Sequence, residues 1–127
     1  MSTGRARGRR GKKERVSFAA VRKLALTLPG VTEGTSYGTP AFRVGGKLLA
    51  RLREDGETLV IKTDDEDREV LLAADPQAFY ITDHYVGYPW MLVRLSSVRP
   101  GVLRELLEQA WRQTAAKRLV AAFDRKS

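Results

Sequence analysis

Apolar residues at helical spacing predict the first element of the chain. They are Phe18, Val21, Leu24, Ala25 and Leu28. Ser17 precedes them and is a favoured N-cap residue, and Pro29-Gly30 stops a helix, so we expect a helix over about residues 17–28. The stretch from Val31 to Pro40 is rich in Gly, Thr and Ser. Because these residues favour turns, we expect a loop there with at most a short extended piece.

Alternating polarity predicts three successive strands, Ala41–Val44, Lys47–Arg53 and Thr58–Lys62. Gly45-Gly46 suits a two-residue hairpin turn between the first two strands. We expect the buried face of the second and third strands to carry Leu48, Ala50, Leu52, Leu59 and Ile61. We expect their open face to carry Lys47, Leu49, Arg51, Arg53, Thr58, Val60 and Lys62. The strands therefore form an antiparallel meander with one buried face.

Thr63 and Glu66 have the spacing of a capping box, which predicts a helix that ends near Ala74, ahead of Pro76. Two short strands are expected after it, at Phe79–Thr82 and Met91–Leu95, with Leu92 and Arg94 of the second strand on one face. An aromatic loop, Asp83 to Trp90, joins them.

Pro100-Gly101 opens the last predicted helix. Its buried stripe is Leu103, Leu106, Leu107, Ala110 and Trp111. Since no Gly or Pro follows, this helix can continue through Leu119 to Phe123. The order of elements predicts an α+β fold in which helices pack on one face of an antiparallel sheet.

The composition narrows the possible functions. With 127 residues, 43% of them hydrophobic, the chain suits one domain, which we place at residues 16–127. The absence of cysteine excludes disulfides, thiolate nucleophiles and sulfur-ligated metals. The longest apolar run, Val70 to Ala74, is too short to span a bilayer, and no apolar stretch follows the basic start as it would in a secretory signal. We expect a bacterial, cytoplasmic protein with no membrane partner.

Positive charge is concentrated at the N-terminus. Residues 1–15 hold one acid, Glu14, against seven basic residues, and so supply +6 of the net charge of +8. The basic residues are Arg5, Arg7, Arg9, Arg10, Lys12, Lys13 and Arg15. This composition predicts a disordered arm, residues 1–15, that binds nucleic-acid phosphates. Two alternatives are a solvated extension with no fixed partner and a misassigned start, with translation beginning at Val16.

Several short strings resemble the MmcQ/YjbR family over residues 17–123. They are Leu28-Pro29-Gly30-Val31-Thr32-Glu33, Tyr37-Gly38-Thr39-Pro40-Ala41-Phe42, Gly46-Lys47, Asp83 to Trp90, Ala110-Trp111-Arg112 and Lys117-Arg118-Leu119. The resemblance implies a CyaY-like (frataxin-like) fold, described for that family as a double-wing DNA-binding motif. It implies DNA as a partner but carries over no catalytic or base-reading residues. Members of this family often have a proline before the Lys-Arg-Leu string, where this chain has Ala116. The last helix is therefore expected to be straighter or longer.

Basic side chains on the open sheet face are candidate phosphate contacts. These are Lys47, Arg51, Arg53 and Lys62, with Lys117 and Arg118 as a possible flank near the C-terminus. Such contacts would bind all sequences alike. The alternative is that these charges only keep a solvated sheet face soluble and discourage pairing at its edges.

The aromatic loop has two interpretations. His84, Tyr85, Tyr88 and Trp90 can stack on bases or line a ligand pocket, or they can pack the loop over the core. Catalysis by His84 lacks a partner set, because the adjacent Asp83 points away from it on an extended chain. We therefore expect no enzyme activity.

Acidic residues cluster at the start of the second predicted helix, at Asp64, Asp65, Glu66, Asp67 and Glu69. They lack the glycine-centred spacing of a calcium loop and suit a helix N-terminus, so we expect no metal and no cofactor. DNA binding is thus the leading function. The alternative is a non-catalytic adaptor that binds a protein or a small ligand through residues 83–90.

Overall fold

The first helix begins at the predicted cap. In this computed structural model, which describes residues 16–126, helix α1 spans Phe18–Leu26. The Ser17 hydroxyl accepts a hydrogen bond from the backbone N–H of Ala20. The helix ends earlier than expected, because Thr27 already acts as its C-cap and donates its hydroxyl hydrogen bond to the carbonyl of Leu24 at 2.6 Å.

Six strands of the described residues form one sheet in which all neighbours are antiparallel. They are β1 (Val31–Ser36), β2 (Thr39–Val44), β3 (Lys47–Leu52), β4 (Thr58–Lys62), β5 (Phe79–Tyr80) and β6 (Trp90–Arg94), in the spatial order β1-β2-β3-β4-β6-β5. The consecutive strands β1 to β4 form the expected meander, extended by one strand.

The loop predicted for residues 31–40 is wrong. This stretch forms β1, a two-residue turn at Tyr37-Gly38 and the start of β2. Both turn residues have positive φ, 55° and 81°, as a type I′ hairpin turn requires. β1 is an edge strand, and hydrogen bonding of its backbone to β2 holds it in the sheet. Because its side chains are mostly exposed, its sequence shows no alternation of apolar and polar residues.

The predicted alternation along β3 is wrong at its first residues. Phe42 pairs with Ala50 but Arg43 pairs with Leu48, so Leu49 is an extra residue in a β-bulge. Leu49 is fully buried in the core, and Leu48 lies on the face opposite the core. The same shift places Lys47 opposite the core residue Val44, which puts it on the helix side of the sheet.

Three further helices follow β4 in the described residues: α2 (Asp65–Ala74), α3 (Pro100–Thr114) and α4 (Lys117–Lys126). A single 3-10 turn, Asp83–Tyr85, lies in the aromatic loop. The N-cap of α2 is Asp64 and not Thr63, because the Asp64 carboxylate accepts the N–H of Asp67 at 2.8 Å.

The prediction of a single long helix at the end of the chain is wrong. Ala115 leaves the helical conformation with ψ 154°, and α4 starts as a separate helix two residues later. Folding back lets the Phe123 ring pack edge-on against Trp111, with ring centroids 5.0 Å apart. In this arrangement Leu119, Val120 and Phe123 are partly buried against the core, and the gain from that burial favours the break.

The core lies between the sheet and the four described helices, all of which contribute apolar side chains to it. Rows of facing residues cross the sheet on this side, such as Phe42, Ala50, Ile61 and Met91. Trp111 is fully buried, and its indole N–H donates to the carbonyl of Pro29 at 2.8 Å. The α+β prediction, with helices on one face of an antiparallel sheet, is confirmed.

Within residues 16–126, no helix combines the length and apolar character that crossing a bilayer would need.

Candidate functional site

The helix-free face of the sheet is nevertheless partly shielded from solvent. Across it run the facing residues Ala41, Arg51, Val60, Leu92 and Tyr80. Ala41, Val60 and Leu92 are almost fully buried although none of the four described helices packs on them. Long side chains and the aromatic loop provide the cover instead, and they leave a depression between them.

This depression, which we call the aromatic basin, has a volume of about 800 Å³. Leu48 of β3 and Val60 of β4 contribute its apolar floor. It is lined by Tyr37, Leu48, Arg51, Glu54, Val60, His84, Tyr85, Tyr88 and Trp90. All four residues proposed for the aromatic loop, His84, Tyr85, Tyr88 and Trp90, therefore meet at one site. Sequence reasoning missed Tyr37, whose segment was predicted to be a loop.

Tyr37 stands on the opposite side of the basin from the aromatic loop, at the tip of the β1–β2 hairpin. Its side chain is prominent on the surface, since the residue is 84% exposed. The guanidinium of Arg51 lies 5.2 Å from the centre of its ring, in cation–π contact. The hairpin thus brings an aromatic ring and a cation together at the rim.

Arg51 is held in place and is not a free cation. Its side chain is only 13% exposed, and it lies 3.8 Å from the carboxylate of Glu54. It also donates weak hydrogen bonds, both 3.4 Å long, to the hydroxyl of Thr39 and the carbonyl of Leu52. Its role in the site is therefore to support Tyr37 more than to reach a distant phosphate.

The aromatic loop is anchored on a buried arginine of α2. One terminal nitrogen of Arg68 donates to the carbonyl oxygens of Tyr85, Tyr88 and Trp90 at 3.4, 2.6 and 3.0 Å. The side chain is 8% exposed and lies 3.8 Å from Asp65, while its Nε has no partner among residues 16–126. The loop is therefore held by its backbone, which leaves its side chains available.

Sequence reasoning also missed Arg68, which is surrounded by the acidic run. Its position carried a signal, because it lies three residues before Leu71, on the side of α2 that turns inward. A lone cation at a position where the helical period calls for an apolar residue indicates a buried hydrogen-bonding role. The acids around it have structural roles, with Asp64 as the cap and Asp65 beside Arg68. Within residues 16–126, no three or more histidine or acidic side chains converge as metal ligands would.

Lys62 lies next to the basin on the helix-free face, where it faces Trp90 across the β4–β6 pair. Arg53 continues the alternation of β3 on the same face, and its backbone N–H donates to the carbonyl of Thr58. Burial raises the pKa of the nearby Asp55. Hydrogen bonds from Glu57 and Thr58, together with the charge of Arg53, outweigh that effect, so the pKa is lowered overall.

Arg94 shares the helix-free face with Leu92, which settles a point that the sequence pattern left open, but its side chain is engaged. Its guanidinium stacks 4.0 Å from the centre of the Tyr80 ring and donates to the carbonyl oxygens of Pro76 and Gln77. Arg43 of β2, opposite Leu48 on this face, is also engaged, because it donates to the carbonyl of Thr35 at 3.1 Å. Arg53 and Lys62 thus remain as the basic side chains beside the basin that have neither an ion pair nor a side-chain hydrogen bond within residues 16–126.

The other predicted basic contacts do not join this face. Lys47 faces the helix side, as the bulge requires, and the prediction that it shares a face with Arg51 is wrong. Lys117 and Arg118 are exposed at the start of α4, which packs against the core through Leu119 and Val120. They are therefore on the helix layer. The arm residues Arg5, Arg7, Arg9, Arg10, Lys12 and Lys13 lie outside the described residues.

Comparison with known proteins agrees with this architecture. The model of the YjbR family matches residues 26–113. The uncharacterized protein Mb2600 of Mycobacterium bovis is 35% identical over 100 residues, covering 65% of this chain and 78% of that protein. The uncharacterized protein Rv2570 of Mycobacterium tuberculosis matches with the same values. A crystal structure of the Deinococcus radiodurans protein DR2400, with the family-model domain DUF419, superposes with a TM-score of 0.69 at 26% identity, over 79% of each chain. The chain belongs to the YjbR family.

Proposed function

We propose that this protein binds DNA through the helix-free face of its sheet, with contacts to the phosphate backbone. The observation that carries the proposal is that this face joins an aromatic basin to two cations, Arg53 and Lys62, that have no ion pair among residues 16–126. Membership of the YjbR family supports it, since a DNA-binding motif has been described for that family. The proposal includes a cytoplasmic location, the compartment that holds the DNA of a bacterial cell.

Phosphate contacts give affinity without reading sequence. Each phosphate that a lysine or arginine neutralises releases counterions, so binding weakens as salt increases. Arg53 follows the last residue of β3 and lies opposite Thr58 at the start of β4, whereas Lys62 ends β4, so the two cations lie at opposite ends of that strand and can meet different phosphates. The arm of residues 1–15, which carries a net charge of +6, is proposed to add contacts of the same kind.

The test compares two double variants of the full chain in titrations of duplex DNA at several salt concentrations. Arg53→Gln with Lys62→Gln removes the cations beside the basin. Lys23→Gln with Arg104→Gln removes the same charge from exposed positions on α1 and α3, on the helix side. Arg51 is left unchanged because it supports Tyr37.

We expect the first variant to weaken binding at low salt and to make the slope of log K against log salt shallower by about 2, at roughly 0.9 per phosphate. The control should change the slope less. Equal effects of the two variants would reduce the role of this face to general positive charge, and the proposal would be wrong.

A second candidate function is a non-catalytic adaptor that binds a small ligand or a protein through the aromatic basin. Its volume of about 800 Å³ and its apolar floor favour this candidate, because small-molecule sites commonly measure roughly 300–1,000 Å³. In that case DNA would not compete with the ligand, and the Arg53 and Lys62 variant would bind it normally. We assign no catalytic step to the site. The imidazole of His84 packs edge-on against Tyr85 and has no hydrogen-bond partner among the described residues.

A further inference from the structure

We propose that the aromatic basin is a stacking site for unpaired nucleotide bases, so that the protein prefers single-stranded nucleic acid to duplex. This inference rests on the proposed function and narrows its substrate class. It is carried by the two exposed tyrosines on opposite sides of the basin, Tyr37 and Tyr88, and by the way each is held.

Tyr37 occupies a turn position at which a tyrosine is energetically unfavourable. A type I′ turn needs positive φ at both central residues, and asparagine followed by glycine is the preferred pair. Here the first position is a tyrosine with φ 55°, a conformation that side chains with a Cβ adopt only at an energetic cost. Strained residues of this kind concentrate at functional sites. Because the ring is 84% exposed, it is not kept there to fill the core.

Tyr88 faces the basin from a backbone that is already fixed. Its side chain is 60% exposed, and the neighbouring Val86 is 59% exposed. The carbonyl of Tyr88 accepts the shortest of the Arg68 hydrogen bonds, 2.6 Å. The backbone of the aromatic loop on this side of the basin is therefore ordered before any ligand binds, which lowers the entropic cost of binding. Exposed rings on an anchored backbone suit a ligand that stacks.

The shape of the basin selects bases that are out of a duplex. In duplex DNA the faces of each base are covered by its neighbours, and only base edges and phosphates are accessible. A concave surface with tyrosines on opposite sides can meet ring faces only when the bases are unpaired. The apolar floor of Leu48 and Val60 suits the weakly polar face of a planar base, while the polar edge of the base stays at the rim.

Charge around the basin fits a strand that carries phosphates. Lys62 lies beside Trp90 at one edge, and Arg53 continues β3 at the other. Among residues 16–126, the one carboxylate that lines the basin is Glu54. It lies 3.8 Å from the guanidinium of Arg51, which offsets its repulsion of phosphates. Bases can enter the basin while their backbone follows the cations outside it.

The test measures binding of the full chain to three fluorescent probes of equal length: a thymidine single strand, a duplex, and a single strand of abasic sugar-phosphate. We expect the thymidine strand to bind most tightly. The variant Tyr37→Asn removes the ring and places the preferred residue in the turn. We expect it to bind the thymidine strand about tenfold more weakly, the loss of about one stacked base, with little change for the duplex.

Three further variants make the result specific. Tyr37→Phe keeps the ring and should bind as the unchanged chain does. Tyr88→Ala removes the opposite ring while its carbonyl stays available to Arg68, and it should weaken binding as Tyr37→Asn does. Val70→Asn alters an exposed side chain of α2 outside the basin and should have no effect. The melting temperature of Tyr37→Asn should be no lower than that of the unchanged chain.

The stacking inference would be overturned if the duplex bound more tightly than the thymidine strand, or if the abasic strand bound as tightly as the thymidine strand. So would unchanged thymidine binding in both Tyr37→Asn and Tyr88→Ala. These outcomes leave the proposed function standing if the Arg53 and Lys62 variant still weakens duplex binding. Failure of all three probes to bind would instead overturn the proposed function itself.

Discussion

The guanidinium of Arg68 donates a 2.6 Å hydrogen bond to the carbonyl oxygen of Tyr88, which lies 20 residues further along the chain. This bond connects the helix layer to a wall of the basin on the other side of the sheet. A side chain buried under the loop thus decides where the exposed rings of that loop stand. Mutations at Arg68 should therefore affect the basin although Arg68 itself does not line it.

Replacing Arg68 by leucine should destabilise the protein by about 2–3 kcal/mol, because three carbonyl oxygens lose a charged donor. The stability of Arg68→Lys should lie between that of the unchanged chain and that of Arg68→Leu, since an ammonium carries the charge but cannot reproduce the planar geometry of a guanidinium. Chemical denaturation measures the stability, and hydrogen exchange should show faster opening of residues 83–90. Unchanged exchange in Arg68→Leu would contradict the anchoring role.

Gly30 and Gly46 offer a matched pair of substitutions by alanine, because both have φ +78°. A Cβ at Gly46 would meet nothing within 4 Å, so its cost should be that of the backbone conformation, about 1–2 kcal/mol. A Cβ at Gly30 would lie 3.2 Å from Leu119 and 3.3 Å from Val44. Gly30→Ala should therefore cost more, and the difference between the two free energies of unfolding reports how tightly Leu119 and Val44 pack on this turn. Equal costs would mean that both side chains move aside freely.

Trp111→Phe should cost about 1–3 kcal/mol, because the carbonyl of Pro29 loses its donor while most of the apolar packing is kept. Urea denaturation measures this difference. A much larger loss, near the roughly 3–5 kcal/mol of a large-to-small core change, would show that the packing and not the hydrogen bond carries the contribution.

Acid should weaken the contact between α3 and α4. Hydrogen bonds from Arg112 to Asp124, 2.7 and 3.2 Å long, hold the pKa of the Asp124 carboxyl below its ordinary value. A carboxyl with a lowered pKa in the folded state adds stability above its unfolded pKa of about 3.9, and the addition is lost as pH falls through the folded value. Asp124→Asn should therefore lower the melting temperature at pH 7, and this effect should shrink steadily as the pH falls below about 3.9.

The control for that prediction is Glu105→Gln, at an exposed position of α3 that has no ion pair within residues 16–126. It should show a smaller dependence on pH. Since the Asp124 pair is on the surface, high salt should also reduce the effect of Asp124→Asn. A melting difference that stays constant from pH 7 to pH 2 would contradict the ion-pair explanation.

Deletion of residues 1–15 tests the basic arm. If the arm neutralises about six phosphates, it contributes roughly −5 to the salt slope of duplex binding, at about −0.9 per phosphate. The truncated chain should bind more weakly at low salt and with a shallower slope. The cut leaves Val16, whose N–H donates to the carbonyl of Leu95 at 2.9 Å, so the described contacts are kept. An unchanged slope would mean that the arm plays no part in binding.

The sequence by itself determined the elements whose signals are local. The Ser17 cap and the apolar period that follows it predicted α1, and Pro100 with its leucine stripe predicted α3. The alternation of β4 predicted that Lys62 shares the helix-free face with Val60, and Gly45-Gly46 predicted a tight turn. Fold class and family could be recognised because many such local signals agree in order.

Tertiary structure alone decided the features that depend on distant partners. The edge strand β1 is held by backbone pairing, which needs no particular side chains. The bulge at Leu49 depends on the register with β2, and a shift of one residue moves each side chain to the other face. The break at Ala115 follows from burying Phe123 against Trp111.

The aromatic basin shows the same division. Its loop was marked in the sequence by closely spaced aromatic residues, but Tyr37 joins it from a hairpin that the sequence did not reveal. The buried anchor Arg68 looks like one more surface charge until α2 packs beside the loop. Residues far apart in the chain meet there through long-range packing and carbonyl hydrogen bonds, and neither leaves a periodic pattern along the chain.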